Sequence, residues 1–257
     1  MLVKNERPKV SIIISVLNAA VTFEKCLKSI IFQSYHSFEL IVIDGGSVDT
    51  TNEIIEKFKN HITYSLSEKD SGIYEAWNKG ILAASGDWLC FIGADDYYVN
   101  EKSLEQIAEL ADFPNVNFVC SRAYKVNNKG EILNIEGKPW NAVKIFTGMR
   151  ISHPGSLHHR ILFEKNGLFD QSYKIAADYD FFLRSVEIIK PAFLDLPIIN
   201  IGNGGVSITN TILCLKESKM AVIKSRKHGR MKAYYYFILA IAKYYLRKIL
   251  NNRDFGI

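Results

Sequence analysis

The sequence predicts an α/β protein with a mostly parallel, Rossmann-like sheet, and two features of its pattern indicate this. From Pro8 onward, short apolar runs alternate with longer stretches of helical period, as in βαβ units. The first run, residues 10–17, is mostly apolar, which is typical of a strand buried on both faces. In such a sheet, ligands bind outside the carboxyl ends of the strands.

The elements follow in order along the chain. We expect strands at 10–17, 39–43, 63–66 and 88–92, separated by helices at 22–34, around 54–58 and at 73–84. Beyond these we expect a helix at 101–111, a hairpin of 116–126 and 131–135, a helix near 178–189 and a strand at 192–201. The regular alternation stops after the fourth strand, which suits a second, acceptor-binding half on the same sheet.

Composition restricts the class of protein. With 257 residues, 48% hydrophobic and 23% charged, the chain has the make-up of a globular enzyme. Its four cysteines lack any Cys-x-x-Cys spacing and favour buried thiols over disulfides or zinc ligands. The first apolar run is too short for a secretory signal and no typical cleavage site follows it, so we expect a cytoplasmic protein.

A Gly-rich loop follows the second predicted strand. Residues 44–49 read Asp-Gly-Gly-Ser-Val-Asp and precede a helix, where Ser47 or Asp49 would be the cap. Glycines there let backbone approach a ligand, while Asp44 suits hydrogen bonds from a base or ribose better than a phosphate. An ordinary capped turn is the alternative interpretation, and neither a P-loop nor a Gly-x-Gly-x-x-Gly fingerprint is present.

Two adjacent carboxylates follow the fourth predicted strand. Asp95 and Asp96 come directly after the apolar run that ends in Gly93, at the carboxyl edge of the sheet. Mg²⁺ and Mn²⁺ bind carboxylate oxygens and leave open positions for phosphate oxygens, so the pair predicts a site for a metal and a diphosphate. A helix cap or turn is the alternative for the pair taken alone.

A third acidic segment precedes a predicted helix. Asp178 and Asp180 come just before or within its first turn, and one of them is expected to be an N-cap. If Asp178 faces the donor site, it is the candidate general base that removes a proton from an acceptor hydroxyl.

Taken together, these segments resemble family 2 glycosyltransferases of the GT-A fold. The resemblance is carried by Val-Ser-Ile-Ile-Ile at 10–14 with Asn18, by 44–51, by 68–80 and by Gly-Ala-Asp-Asp at 93–96. It continues at 175–184 and at Gly-Gly-Val-Ser, 204–207. The match therefore spans residues 8–207. We expect one glycosyltransferase domain at 1–207, with a nucleotide-sugar-binding half at 8–100 and an acceptor half at 101–207.

The resemblance implies an inverting, metal-dependent hexosyltransferase. It implies that Asp44 contacts the nucleoside, that Asp70 and Gly72 lie near the nucleotide, that Asp95 binds Mn²⁺ or Mg²⁺ and that Asp178 is the base. The implied donor is UDP-glucose or UDP-galactose, and the implied acceptor is a lipid-diphosphate-linked saccharide such as GlcNAc-diphosphate-undecaprenol in O-antigen or capsule biosynthesis.

Gly93 departs from the family pattern. Relatives often have Asp-x-Asp-Asp, and here the first acidic position is glycine. Asp95 is then the expected metal ligand and Asp96 a supporting residue of the metal and nucleotide-sugar site. The same departure is the one feature that favours an alternative: a catalytically weak nucleotide-sugar-binding or scaffold protein.

Three histidines lie close together in the second half. His153 matches a position where relatives that build surface polysaccharides often have His, which implies a place near the acceptor; a packed or surface histidine is the alternative. His158 and His159 lack a metal-ligand spacing, and we do not expect them to be ligands.

The C-terminal segment, 208–257, is strongly basic. Residues 216–257 contain eleven Lys or Arg against two acidic residues, so this segment is +9 and the rest of the chain −4, within a total of +5. Its uncharged run at 234–242 is too short to span a bilayer. We expect an amphipathic helix on an anionic membrane surface at the cytoplasmic face, with a helix packed on the domain as the alternative. Nucleic-acid binding is disfavoured because the aromatic residues do not alternate with the basic ones.

Overall fold

The computed structural model describes residues 9–202, 204–205, 209–225 and 230–253. Val206 and Ser207 of the last family motif, and the ends of the basic segment, lie outside these residues. The first half of the chain alternates between strand and helix as predicted. Its elements are β1 (Val10–Val16), α1 (Phe23–Ile31), β2 (Phe38–Asp44), α2 (Thr51–Lys57), β3 (Tyr64–Ser67), α3 (Ile73–Ala83) and β4 (Trp88–Gly93).

The second half is less regular. Its elements are β5 (Tyr97–Tyr98), α4 (Ser103–Ala111), β6 (Phe118–Val126), β7 (Ile132–Glu136), β8 (Leu157–His159), α5 (Ile161–Asn166), α6 (Ala177–Ser185), β9 (Pro191–Gly202), α7 (Thr211–Lys224) and α8 (Arg230–Arg253). The pattern predicts the β6–β7 hairpin, α4, α6 and β9. The pattern does not predict β5, β8 and α5, because these elements are too short to show a repeating hydrophobic period.

The nine strands of the described residues form one sheet. Its order is β3-β2-β1-β4-β8-β6-β9-β5, with β7 added beside β6. Strands β1 to β4 are parallel to one another, and β6 is parallel to β9, while β8 is antiparallel to both of its neighbours. Because one antiparallel strand separates β4 from β6, the ends of β4 and β9 reach the same edge of the sheet.

Helices cover both faces of the sheet, which explains the apolar strands. Ile13 and Phe91 face a core formed with α3, α5, α6 and α7, whereas Ile12 and Ile92 face a core formed with α1 and α4. Alternate residues of one strand therefore enter different cores. The predicted buried thiols are confirmed for three cysteines, Cys214 is half-buried, and the four form no disulfide.

Two helices end earlier than the sequence pattern predicts. Helix α1 stops at Ile31 rather than near 34, because the Gln33 side chain bonds Asn100 O and Leu104 N and the Ser34 amide bonds Glu101 O. Helix α6 stops at Ser185 rather than near 189. Tertiary hydrogen bonds thus set the α1 boundary that helical period alone does not fix.

A buried carboxylate fastens the amino edge of the sheet. Glu39 accepts hydrogen bonds from Ser11 Oγ, Ser85 N and Gly86 N, which join β1, β2 and the turn before β4. Burial alone would favour the neutral acid, but these bonds, with the Lys9 charge, lower the pKa of Glu39 to about 2. The edge opposite the expected site is therefore held by a satisfied charge.

Helix α7 packs into the main core. Ala221 and Val222 are buried there, and Lys224 pairs with Asp170 of the loop before α6. Glu217 is buried as well, with 7% of its surface exposed. Helix α7, the first helix of the basic segment, is thus packed on the domain, which was the alternative to a helix on the membrane surface.

Helix α8 exposes an apolar stripe. Ala233 is buried against the core, and Lys219 of α7 lies over the rings of Tyr234 and Phe237 at 4.6 and 4.5 Å. Met231, Tyr235, Ile238 and Tyr245 are more than half exposed, and their spacings of four, three and seven residues put them on one side of the helix. Within the described ranges, no helix is both long and apolar enough to cross a membrane.

Candidate functional site

Polar side chains follow the carboxyl ends of the four parallel strands. Asn18 follows β1, Asp44 ends β2, Asp70 follows β3, and Asp95 and Asp96 follow β4. Since β1 to β4 run in one direction, all five lie at one edge of the sheet. The expected nucleotide and metal residues are therefore gathered on one side of the molecule.

Asp44 organises the first part of this edge. It has no exposed surface, and its carboxylate accepts hydrogen bonds from the Ser47 amide, the Ser47 hydroxyl and the Ser67 hydroxyl. In this arrangement Asp44 shapes the loop from within, and contact between Asp44 and a nucleoside stays a prediction. Any such contact requires one of the serine hydroxyls to move aside.

The loop after β2 is tied to the loop after β1. Asn18 N donates to Ser47 Oγ at 2.8 Å, and Asn18 Oδ1 accepts from Val48 N at 2.9 Å. Asn18 has a φ of 48°, a left-handed conformation that Asn tolerates better than most residues. The N-cap position of α2 is Thr50, so neither predicted cap is correct. Asp49 still accepts a hydrogen bond from the first helical amide, Thr51 N, whereas Ser47 bonds within the loop.

Asp70 and Gly72 form the neighbouring turn. Asp70 Oδ1 accepts from Gly72 N at 3.0 Å, and a Cβ on Gly45 would lie 2.8 Å from Asp70 Oδ2. Burial raises the pKa of Asp70. Gly72 has a φ of 137°, which side chains disfavour, so glycine is needed where the chain turns into α3. The Gly45 backbone and the Asp70 carboxylate are thus in direct contact.

Asp95 and Asp96 occupy different environments. Asp96 is buried and accepts hydrogen bonds from Gly93 N at 3.0 Å and Gly202 N at 3.3 Å. Burial and the adjacent Asp95 charge raise the pKa of Asp96. Asp95 is half-buried and keeps part of its surface open. This division fits Asp95 as the ligand and Asp96 as its support, as the sequence predicts.

Two glycines make room for these carboxylates. A Cβ on Gly202 would lie 2.4 Å from Asp95 Oδ2, and a Cβ on Gly93 would lie 3.0 Å from an oxygen of each aspartate. The β9 backbone therefore comes closer to Asp95 than any side chain would permit. No local sequence signal marks this role of Gly202, because it depends on a strand about a hundred residues away.

Asp95 and Asp96 suit a divalent cation whose other ligands are not protein side chains. Two like charges side by side repel each other, and a cation between them and a diphosphate would relieve that repulsion. Among the residues that the structure describes, no group of three or more Asp, Glu, His or Cys could hold a metal. Phosphate and water oxygens would have to complete the coordination, as is usual for Mg²⁺.

Asp178 lies at the same edge, in the first turn of α6. Its Oδ1 accepts from Tyr74 Oη at 3.1 Å and from the Tyr179 amide at 2.7 Å. Tyr74 is in the first turn of α3, which starts at the carboxyl edge, and this contact puts Asp178 there too. Burial raises the pKa of Asp178 to about 6, the Glu217 charge adds to the rise, and the two hydrogen bonds oppose it.

A raised pKa suits Asp178 for proton removal. A carboxylate with a pKa of about 6 is charged at neutral pH and is a stronger base than an ordinary aspartate. Tyr74 was not singled out in the sequence as a partner of Asp178, because nothing local links positions 74 and 178.

His153 is a packed histidine in this structure. It is 3% exposed, its ring stacks on Phe91 with centroids 5.6 Å apart, and Trp77 and His158 lie at 5.1 Å. Burial lowers the pKa of His153, so the ring is neutral. Its position matches the packed alternative, and the enclosed ring offers no surface to an acceptor.

A basic cavity opens beside α6. It encloses about 380 Å³ and is lined by three exposed cations, Lys138, Lys144 and Arg150, and by Trp140. Tyr179, the residue after Asp178, donates its hydroxyl to Ile145 O in the cavity wall at 2.6 Å. The cavity is therefore joined to the first turn of α6.

Comparison with known sequences identifies the family. The family model described as glycosyl transferase family 2 matches residues 11–168. A "PGL/p-HBAD biosynthesis glycosyltransferase" of Mycobacterium tuberculosis (strain ATCC 25618 / H37Rv) is 32% identical over 185 residues, 69% of each chain. An uncharacterized glycosyltransferase of Rickettsia typhi is 29% identical over 215 residues, 80% of this chain and 67% of its own.

Solved structures share the fold. S. aureus TarS 1-349 in complex with UDP-GlcNAc has a TM-score of 0.69 and 18% identity, covering 91% of this chain and 71% of its own. The mannosyltransferase PcManGT from Pyrobaculum calidifontis, in complex with GDP-Man and Mn²⁺, also has a TM-score of 0.69, with 15% identity and coverage of 91% and 70%. The predicted GT-A fold is confirmed, and the chain belongs to glycosyltransferase family 2.

Proposed function

We propose that this glycosyltransferase moves one hexose, glucose or galactose, from a UDP-sugar to a saccharide carried on a lipid diphosphate, with inversion at the anomeric carbon. The observation that carries the proposal is the pairing of a carboxylate with a pKa of about 6, Asp178, with the Asp95–Asp96 site at one sheet edge. One group takes up a proton, and the other faces a leaving diphosphate. O-antigen or capsule assembly is the expected setting.

A single displacement accounts for both groups. The acceptor oxygen attacks the anomeric carbon while the bond from that carbon to the UDP oxygen breaks, and the diphosphate leaves with the electron pair. Asp178 takes the proton of the attacking hydroxyl. A Mn²⁺ or Mg²⁺ held by Asp95, with Asp96 in support, would supply positive charge opposite the diphosphate.

The nucleotide is expected over the loops after β1 to β3. Asn18, Asp70 and Gly72 border this region, and Asp44 holds it in shape through Ser47 and Ser67. UDP as the nucleotide is supported by the TarS complex with UDP-GlcNAc, which has the same fold. The PcManGT complex contains GDP-Man instead, so the fold alone does not choose the base.

The basic cavity supports an anionic acceptor. Lys138, Lys144 and Arg150 are the kind of groups that bind a phosphate, and Trp140 offers a flat apolar surface for a sugar ring or an isoprenoid unit. Because Tyr179 joins the cavity to the residue beside the base, a phosphate bound there would keep the attached saccharide near Asp178.

The apolar stripe of α8 supports a place on the cytoplasmic face of the cell membrane. Four large apolar side chains are exposed on one side of that helix, within a segment of net charge +9. Aromatic rings enter the headgroup region, and Lys and Arg are attracted to anionic lipids. Helix α8 packs on residues 144–147, and Lys144 and Ile145 of this segment line the basic cavity. The helix would then lie next to the lipid of the acceptor.

Removing the base tests the displacement. Asp178→Asn should abolish transfer and leave UDP-sugar binding unchanged, since only the proton acceptor is lost. In the wild type, kcat/KM should rise with pH through a midpoint of about 6, because Asp178 acts in its charged form. Initial-rate and titration-calorimetry measurements check both. Asp112→Asn, at an exposed position, is the control. Full activity in Asp178→Asn would show that Asp178 is not the base.

Crowding Asp95 tests the metal site. Gly202→Ala puts a methyl group 2.4 Å from Asp95 Oδ2 and should raise the Mn²⁺ concentration for half-maximal activity roughly 10- to 100-fold. Gly204→Ala is the matched control, as a Cβ there meets no atom within 4 Å. An unchanged metal requirement in Gly202→Ala, with melting temperature also unchanged, would contradict the assignment.

Neutralising the cavity tests the acceptor. Lys144→Ala with Arg150→Ala should raise KM for a GlcNAc-diphosphate-lipid at least about tenfold, because charge-assisted hydrogen bonds to phosphate are lost. The KM for the UDP-sugar should not change. Lys129→Ala, an exposed lysine in the β6–β7 turn, is the control. If the double variant and the wild type have the same acceptor KM, the phosphate binds elsewhere.

Replacing the stripe tests the membrane surface. Tyr235→Ser with Ile238→Ser should reduce sedimentation with phosphatidylglycerol vesicles by about tenfold or more, since each side chain contributes on the order of 1.5 kcal/mol when buried. Phosphatidylcholine vesicles should bind the wild type more weakly. Leu82→Ser, at an exposed position of α3, is the control. Equal binding by the double variant and the wild type would exclude this face.

A further inference from the structure

Glu217 is a buried acid outside the segment that the family model matches. The match ends at residue 168, whereas Glu217 lies in α7 and is 7% exposed. Acidic side chains are rarely buried unless their oxygens are satisfied, because taking the charge out of water is costly. The partners of Glu217 therefore indicate why an acid is needed at this position.

Its partners are consecutive backbone amides. Glu217 Oε1 accepts from Lys174 N at 2.9 Å, and Oε2 accepts from Ile175 N at 2.8 Å and Ala176 N at 3.0 Å. These residues directly precede α6, whose N-cap, Ala176, has no side chain that could bond a free amide. These three amides come before the first helical residue, Ala177, so Glu217 anchors the chain that leads into α6 rather than capping the helix itself.

The last of these amides, that of Ala176, is two residues from Asp178. Helix α3 holds the same stretch of backbone, since the single hydroxyl proton of Tyr74 is shared between Ile175 O and Asp178 Oδ1, with 3.1 Å between the Tyr74 oxygen and Asp178 Oδ1. The chain before α6 is therefore clamped between α7 and α3. Both clamps act on the residues that determine where the Asp178 carboxylate lies.

We propose that Glu217 is a positioning residue for Asp178, holding the start of α6 through the amides of residues 174–176. This rests on the proposed function, in which Asp178 is the base. It also makes α7 a working part of the enzyme, although α7 lies beyond the family match. An acid does this better than an amide, because its two oxygens accept all three bonds and an amide nitrogen would oppose one donor.

The charge of Glu217 acts on Asp178 as well. Among the described residues, the titratable side chains that interact with Asp178 include Tyr74 from α3, and Cys214 and Glu217 from α7. Burial raises the pKa of Tyr74 and of Cys214, so both are neutral near pH 6. The Glu217 carboxylate is then the charged neighbour, and it helps to keep the pKa of Asp178 raised. The Glu217 side chain thus affects both the position of Asp178 and its strength as a base.

The pH dependence of Glu217→Gln separates positioning from simple support of the fold. The variant should lower kcat about 10- to 100-fold, since a small misplacement of a reacting group has this effect, and leave the KM for UDP-sugar unchanged. The acid limb of its kcat/KM profile should move to lower pH than in the wild type. Met220→Gln, on the exposed side of α7, should leave the rate and the profile unchanged.

Glu217→Asp provides a second test that keeps the charge. Its shorter side chain should lower kcat while the acid limb stays near that of the wild type. A wild-type kcat in either folded variant overturns the proposal. So does an acid limb of the kcat/KM profile that lies at the same pH in Glu217→Gln and Glu217→Asp. If Glu217→Gln fails to fold, an unchanged kcat in Glu217→Asp is enough to overturn it. Full activity of Asp178→Asn would instead be a failure of the proposed function itself.

Discussion

Two glycine positions, at the ends of β4 and β9, allow backbone to enclose the carboxylates of Asp95 and Asp96. A side chain at Gly202 would overlap Asp95, and the Gly202 amide donates to Asp96. Strand β9 can reach this edge because it is parallel to β6, with β8 separating β6 from β4. The close approach of β9 therefore joins the second half of the chain to the first at the edge where we propose that the metal and the diphosphate bind.

Negative charge at this edge is distributed unequally, and burial is the main reason. Asp96 and Asp178 are both held in surroundings that favour the neutral acid, whereas the amino edge has Glu39, whose hydrogen bonds favour the charged form. The first two are poised to respond to a ligand or to a proton. Glu39 responds to neither and fixes the ends of the strands.

The sequence predicted what depends on local pattern. The β1 to β4 strands and the acidic residues that follow them were predictable, because strand direction alone brings these residues to one edge. Asp95 was predictable because it follows an apolar strand, and Asp178 because it precedes the apolar residues of a predicted helix. Period, glycine and charge predict the order of the strands and helices in this half, but not the end of α1, which contacts with residues 100–104 determine.

Contacts between distant segments were not predictable. Tyr74 and Asp178 are 104 residues apart, and Glu217 is more than forty residues from the amides that it binds. Asp44 shows the same limit from the other direction: its type and place suggest a ligand contact, yet Ser47 and Ser67 occupy its oxygens. A residue's position on an edge follows from sequence, but its hydrogen-bond partners follow from packing.

The glycine at position 93 is consistent with the pair that follows it. Relatives often have an acid here, and its loss would favour a weak enzyme if that acid were needed to complete the site. In this chain a Cβ at 93 would lie 3.0 Å from both aspartates, while the Gly93 amide donates to Asp96. An acidic side chain would add a third negative charge against that contact. Gly93 thus avoids crowding the carboxylates of Asp95 and Asp96, which is compatible with the cation site that we propose for the pair.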